Sequence, residues 1–235
     1  MGPLSAKTLL VAWERGRTRH PIDRALLLRA LAAPDAEPDA LADEPLGLRN
    51  AALLRLRLAT FGSSLRAYLD CPGCGARLEF ELDATTLLAT PAGGAAPVEV
   101  KGLAFRPPTS RDLAAILDEE LPERAALRLL RRCLIDTNER TDDAVLEPLL
   151  DRVEAALEQA DPWADVTLDF RCETCGHAWA APFDITGFLW EEIDAYAGRL
   201  LDEVHLLARA HGWSEGAILG LSESRRAAYL KRAMA

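Results

Sequence analysis

Apolar positions in the first sixty residues recur at three- and four-residue steps, the spacing that places them on one face of an α-helix. Leu9, Leu10 and Trp13 form one such face behind Ser5, a residue suited to cap a helix N-terminus, and Gly16 lies where that helix should end. Pro21 suits the first turn of a second helix, whose inward face would be Ile22, Leu26, Leu27 and Ala30. Residues 33–45, APDAEPDALADEP, hold three prolines and five acids and read as a flexible loop. A third helix is expected over residues 46–60, closing around Gly62.

Beyond that point the period falls to two. In RLEFEL, residues 77–82, the side chains Leu78, Phe80 and Leu82 alternate with polar neighbours, as in a half-buried strand. Val98 and Val100, then Leu103 and Phe105, flank Lys101-Gly102 and predict a hairpin with a two-residue turn. Pro107-Pro108 stops that hairpin, and Thr109 or Ser110 can cap the next helix. Helices are expected over 110–119, over 121–135 with Pro122 in an early turn, and over 142–160. Strand alternation returns at 166–170, with 178–183 as its hairpin partner. Leu189, Ile193, Tyr196, Leu200, Val204, Leu207 and His211 then trace one long helix from about residue 186 to 211. Gly212 should end it, Ser214 should cap a short helix, and Ser222 a last one through Tyr229 and Leu230.

Five cysteines change the picture. Cys71-Pro72-Gly73-Cys74-Gly75 and Cys172-Glu173-Thr174-Cys175-Gly176 each place two thiols on a tight turn, beside a strand pattern. The glycine after each second cysteine lets the backbone turn back and aim N–H groups at thiolate. Cys71, Cys74, Cys172 and Cys175 therefore read as the four ligands of a structural Zn2+. The 97 residues between Cys74 and Cys172 exceed ordinary ribbon spacing. The expected fold is accordingly α+β and mainly helical, with a small antiparallel zinc-ribbon-like sheet split by a hairpin-plus-helices insertion. Its regions are an N-terminal helical part (1–65), the two ribbon halves (66–95 and 165–185), the insertion (96–164) and a C-terminal helical part (186–235).

Four thiolates leave no open coordination position, which argues against a catalytic metal. A redox role needs a strand-then-helix context that neither pair has. His177, directly after the second knuckle, reads as a residue beside the sulfurs or on the surface, with replacement of a cysteine ligand as the sharper alternative. Cys133 sits in an apolar stretch and reads as a buried small hydrophobe. His20, His205 and His211 do not cluster, and the carboxylates scatter over helix faces, where solvation is the default reading.

A hydrophobic fraction of 49% suits a globular chain, and no run approaches the roughly 20 apolar residues of a membrane span. The first residues lack a secretory pattern, so a cytoplasmic protein without membrane insertion is expected. The net charge of −10 argues against a phosphate backbone as partner. Residues 199–235 have the order of a helix-turn-helix, but their six basic residues against four acids make only a small excess. A nucleic-acid-binding zinc ribbon is thus the second reading. Trp190, Tyr196, Trp213 and Tyr229 are anchors for core packing or for partner contacts.

Three segments carry a family resemblance. They are LLVAWE (9–14) followed by HPIDRA (20–25), the split ribbon CPGCGARLEFEL (71–82) with CETCGHAW (172–179) and FDI (183–185), and the ending from His205 to Leu230 with GWSE (212–215) and RRAAYL (225–230). Their order resembles the baseplate hub assembly chaperones of T-even-type phages, found in contractile phage tails and related contractile injection systems. The resemblance implies a non-enzymatic protein that works through contacts with baseplate hub or spike proteins, transiently or as part of the particle.

Overall fold

The computed structural model describes residues 2–91, 93–135 and 142–233. Its first helix, α1 (Ala6–Gly16), is capped by the Ser5 hydroxyl, which accepts from the Thr8 N–H. In α2 (Pro21–Ala32) the cap is His20, whose Nδ1 accepts from the Ile22 N–H, and Pro21 occupies the first turn. A short α3 (Pro38–Ala42) leads to α4 (Leu46–Phe61), which ends at Gly62 with φ 89°. The strands β1 (Ser64–Asp70) and β2 (Arg77–Asp83) pair antiparallel, and α5 (Ala84–Leu87) follows.

The inserted region holds β3 (Val98–Val100), β4 (Leu103–Phe105), α6 (Ser110–Ala114), α7 (Pro122–Cys133), α8 (Asp143–Leu146), one 3-10 turn (Glu147–Leu149) and α9 (Leu150–Ala160). Residues 136–141 of the expected insertion lie outside the described residues. The chain then forms β5 (Thr167–Arg171) against β6 (Ala178–Pro182), the long α10 (Ile185–His211), α11 (Glu215–Leu219) and α12 (Glu223–Ala233).

The main core gathers Leu9, Leu28, Leu53, Leu54 and Leu56 from α1, α2 and α4 against Leu189, Trp190 and Ile193 of α10. Leu65, Leu82 and Phe183 bring the roots of the β1–β2 and β5–β6 hairpins into the same cluster. A second core lies in the insertion, where Phe105, Leu130, Leu134, Leu146 and Val153 meet. The mainly helical α+β reading holds. Its strands form three separate two-stranded sheets, so the two ribbon halves are joined by side chains rather than by a continuous hydrogen-bonded ladder.

Several local expectations change. Residues 33–45 are not a free loop: Leu41 is buried, and three of the five acids find cations. Arg29 grips Glu44 through two hydrogen bonds of 2.7 and 2.9 Å, and Arg111 reaches Asp43 at 2.7 Å and Asp39 at 3.0 Å. In α2 the fully buried positions are Ala25 and Leu28, while Ala30 is exposed. Strand β1 had no counterpart in the reading of the sequence, although its SLRAYLD pairs residue for residue with RLEFELD. The helix expected over 142–160 is broken at Pro148, which has no N–H to continue the hydrogen-bond ladder. The helix over 110–119 stops at Ala114, and α7 stops at Cys133 because Leu134 bridges to Phe105. At the Lys101-Gly102 turn both φ values are positive (54° and 79°), the backbone that a tight two-residue hairpin needs.

Candidate metal centre

Each knuckle is the closed end of a hairpin. The β1–β2 ladder ends with Asp70 opposite Arg77, and Cys71 to Ala76 make the turn. The β5–β6 ladder ends with Arg171 opposite Ala178, and Cys172 to His177 make the same turn. The backbone hydrogen bonds repeat: Cys71 N–H donates to Ala76 O at 2.9 Å, and Cys172 N–H to His177 O at 2.8 Å. Gly75 N–H returns to Cys71 O at 2.8 Å, and Gly176 N–H to Cys172 O at 2.9 Å. Both glycines sit in the left-handed region, with φ 73° and 74°, where a Cβ would be strained.

These two turns face one another. All four Sγ atoms lie within 4.8 Å of each other, with Cys71–Cys175 and Cys74–Cys172 at 3.7 Å. The first cysteine of each knuckle thus approaches the second of the other, an arrangement close to two-fold. A disulfide requires about 2.05 Å, and all five cysteines are free thiols. A tetrahedron with metal–sulfur bonds of about 2.3 Å has edges of about 3.8 Å, which the two 3.7 Å separations match. Cys71 and Cys172 are buried while Cys74 and Cys175 are exposed, so one side of the cluster faces solvent.

Electrostatics at the cluster fits a cation. The backbone N–H groups of Cys175 and Thr174 help bring the Cys172 thiol down to about 6, in the range where it ionises near neutrality. At Cys74 the Ala76 N–H also favours thiolate, but Cys175, desolvation and the other two sulfurs outweigh it and push the thiol up to about 12. One thiolate resists the next at such distances, and a central cation turns that repulsion into attraction. The residues therefore can hold a metal ion, in a closed set of four sulfurs.

Beside the sulfurs, Phe80 of one hairpin meets Phe170 of the other edge-on at 4.9 Å, Phe170 stacks on Trp179, and Trp179 on His177. His177 is exposed, lies outside the ligating group, and its Cβ and Cγ crowd Gly73, where an added Cβ would stand 3.2 Å away. Cys133 is 1% exposed, and burial raises its thiol to about 12, as suits an inert core residue. His20 caps α2, and His211 stacks on Trp213 and approaches Tyr229 near the C-terminus. Trp190 belongs to the main core. Of the C-terminal basic residues, Arg226 is buried and donates to Glu203 at 3.0 Å and to Leu221 O. Two carboxylates depart from the solvated-face reading, Asp161 and Asp112, and the side chain of Asp112 is only 1% exposed. The signal for Asp112 is Thr109-x-x-Asp112, the spacing of a capping box.

No protein-family model matches the chain, and neither a curated protein nor a solved structure matches it. No helix among the described residues is long and apolar enough to cross a membrane.

Proposed function

We propose that this chain is a non-enzymatic, zinc-stabilised assembly chaperone or structural component of a contractile phage-like baseplate hub, acting through protein–protein contacts. The observation that carries the structural half is the meeting of Cys71, Cys74, Cys172 and Cys175 across 97 residues of sequence. Sulfur edges of 3.7 Å suit a single ion rather than a cluster with bridging sulfides. Among single ions, zinc fits four thiolates without redox chemistry. Four sulfurs that fill the coordination sphere favour holding hairpins over activating water. The baseplate half of the reading rests on the sequence resemblance.

The test is co-purification with hub and spike proteins encoded in the same operon, with zinc measured on the same sample. The expected result is one zinc per chain and capture of a hub or spike component, both lost in Cys172→Ser. A folded, zinc-free Cys172→Ser protein that still captures its partner would refute the proposal. The rival, a nucleic-acid-binding zinc ribbon, predicts steeply salt-dependent mobility shifts at low salt. Arg226 is already engaged with Glu203, which weakens that rival.

A further inference from the structure

The inserted region carries a groove that the metal centre does not use. It lies between α7 and α9 and has a volume of about 720 Å³. Its floor is apolar apart from the buried Asp161, whose carboxylate accepts from the Gly47 N–H. Leu150, Val153 and Leu157 follow one another at three- and four-residue steps along α9, facing Leu129 and Leu130 of α7.

Its rim carries five acids. Glu123, Asp151, Glu154, Glu158 and Asp165 are exposed lining residues, and no Lys or Arg lines the groove among the described residues. None of these five acids takes part in an ion pair among the described residues. Of the insertion's other surface acids, Asp143 pairs with Arg131 and Asp118 with Arg128, while Glu99, Glu120 and Glu147 make no ion pair among the described residues. On α9 the positions 151, 154 and 158 stack three like charges along one helix edge, which disfavours the isolated helix. An uncompensated stripe beside an apolar floor matches a ligand that brings both cations and apolar side chains.

We propose that the α7–α9 groove docks an amphipathic helix of a partner protein, with Leu-type side chains on the floor and Lys or Arg against the acidic rim. The groove's two walls are helices of 12 and 11 residues, which span about 17 Å and accommodate roughly three turns of a partner. Pro122 and Ala126, small lip residues on α7, leave the backbone of such a helix room to approach. This inference stands on the groove alone and does not depend on the baseplate reading.

A labelled amphipathic Leu/Lys peptide of about 14 residues, titrated into the full-length zinc-loaded protein and followed by fluorescence anisotropy, tests it. Saturable binding that weakens with salt is expected, with amide-exchange protection gained on α7 and α9. The double variant Glu154→Lys/Glu158→Lys, both exposed positions, should bind about tenfold more weakly while keeping its circular dichroism. Ala126→Trp should block the groove by bulk without changing its charge. A Glu-for-Lys version of the peptide should not bind. Absence of binding, equal binding of the Glu version, or unchanged affinity in both variants overturns the proposal. So does a dimer in sedimentation equilibrium that the Glu154→Lys/Glu158→Lys variant splits, because a second copy would then occupy the groove.

Discussion

Arg57 ties three segments together with one side chain. Its guanidinium is almost fully buried and meets the Glu192 carboxylate twice, at 2.8 and 2.6 Å. It also donates to Gly62 O at 2.6 Å and Ser64 O at 2.7 Å, so the end of α4, the entry to β1 and the first third of α10 share a single fork. Replacing Arg57 by Met should cost about 3 kcal/mol in urea denaturation, since a carboxylate and two carbonyls lose their donor. Lys at this position should recover little, because it lacks the planar fork. Within LRLRL nothing distinguishes this arginine from a solvated one, and only the structure gives it a role. The knuckle glycines are the reverse case, since Gly75 and Gly176 were legible as turning points. Gly176→Ala, forced into φ 74°, should cost about 1 kcal/mol and appear as roughly fivefold weaker metal retention in chelator competition.

Short elements in the insertion depend on their ends. Helix α6 is only five residues long, and it starts with a capping box in which Asp112 Oδ2 accepts from Thr109 N–H at 3.0 Å. The same carboxylate accepts from Arg132 Nε at 2.9 Å and from Arg106. Burial opposes its ionisation, but the Arg106 and Thr109 hydrogen bonds win and hold it below the ordinary value of 3.8. The unfolded chain therefore takes up this proton at higher pH than the folded one. Its stabilisation is complete above the unfolded value and is lost as pH falls through the folded one. Asp161 slopes the other way, because burial raises it. Stability measured by urea midpoints between about pH 5 and 3 should fall less steeply in Asp112→Asn than in the wild type, from a lower starting value. Unchanged slopes would mean that the Asp112 cluster contributes nothing. Helix ends such as Ser5, Gly62 and Gly212 were readable locally. Strand β1 was not, because its alternation of Leu65, Ala67 and Leu69 is weak until β2 is placed beside it.

At the scale of the whole molecule, cysteine cluster and core divide the labour. The packing of α1, α2, α4 and α10 involves none of the four clustered cysteines. The hairpins are rooted in that core by Leu65, Leu82 and Phe183, while their tips meet through four sulfurs and the Phe80–Phe170 contact. Chelation of the metal should therefore raise amide exchange in residues 64–83 and 167–182 and leave the helices of the main core protected. Global unfolding on chelation, or no change in the hairpins, would show that the division is wrong. The acidic segment 33–45 belongs to this scale too. Its composition suggested freedom, yet Arg29 of the preceding helix and Arg111, distant in sequence, hold three of its five acids.

Periodicity, caps and paired cysteines are local properties, and from them the sequence by itself determined the helical majority, two of the three hairpins among the described residues and the four cysteines that cluster. Which distant groups would meet is a matter of packing. Only the tertiary structure decided that the two knuckles face each other as near copies, that Arg57 and Asp112 are buried in ionic networks, and that unpaired acids line an apolar groove. Such contacts form between residues tens of positions apart, and their energies depend on burial and orientation, which a linear pattern does not encode.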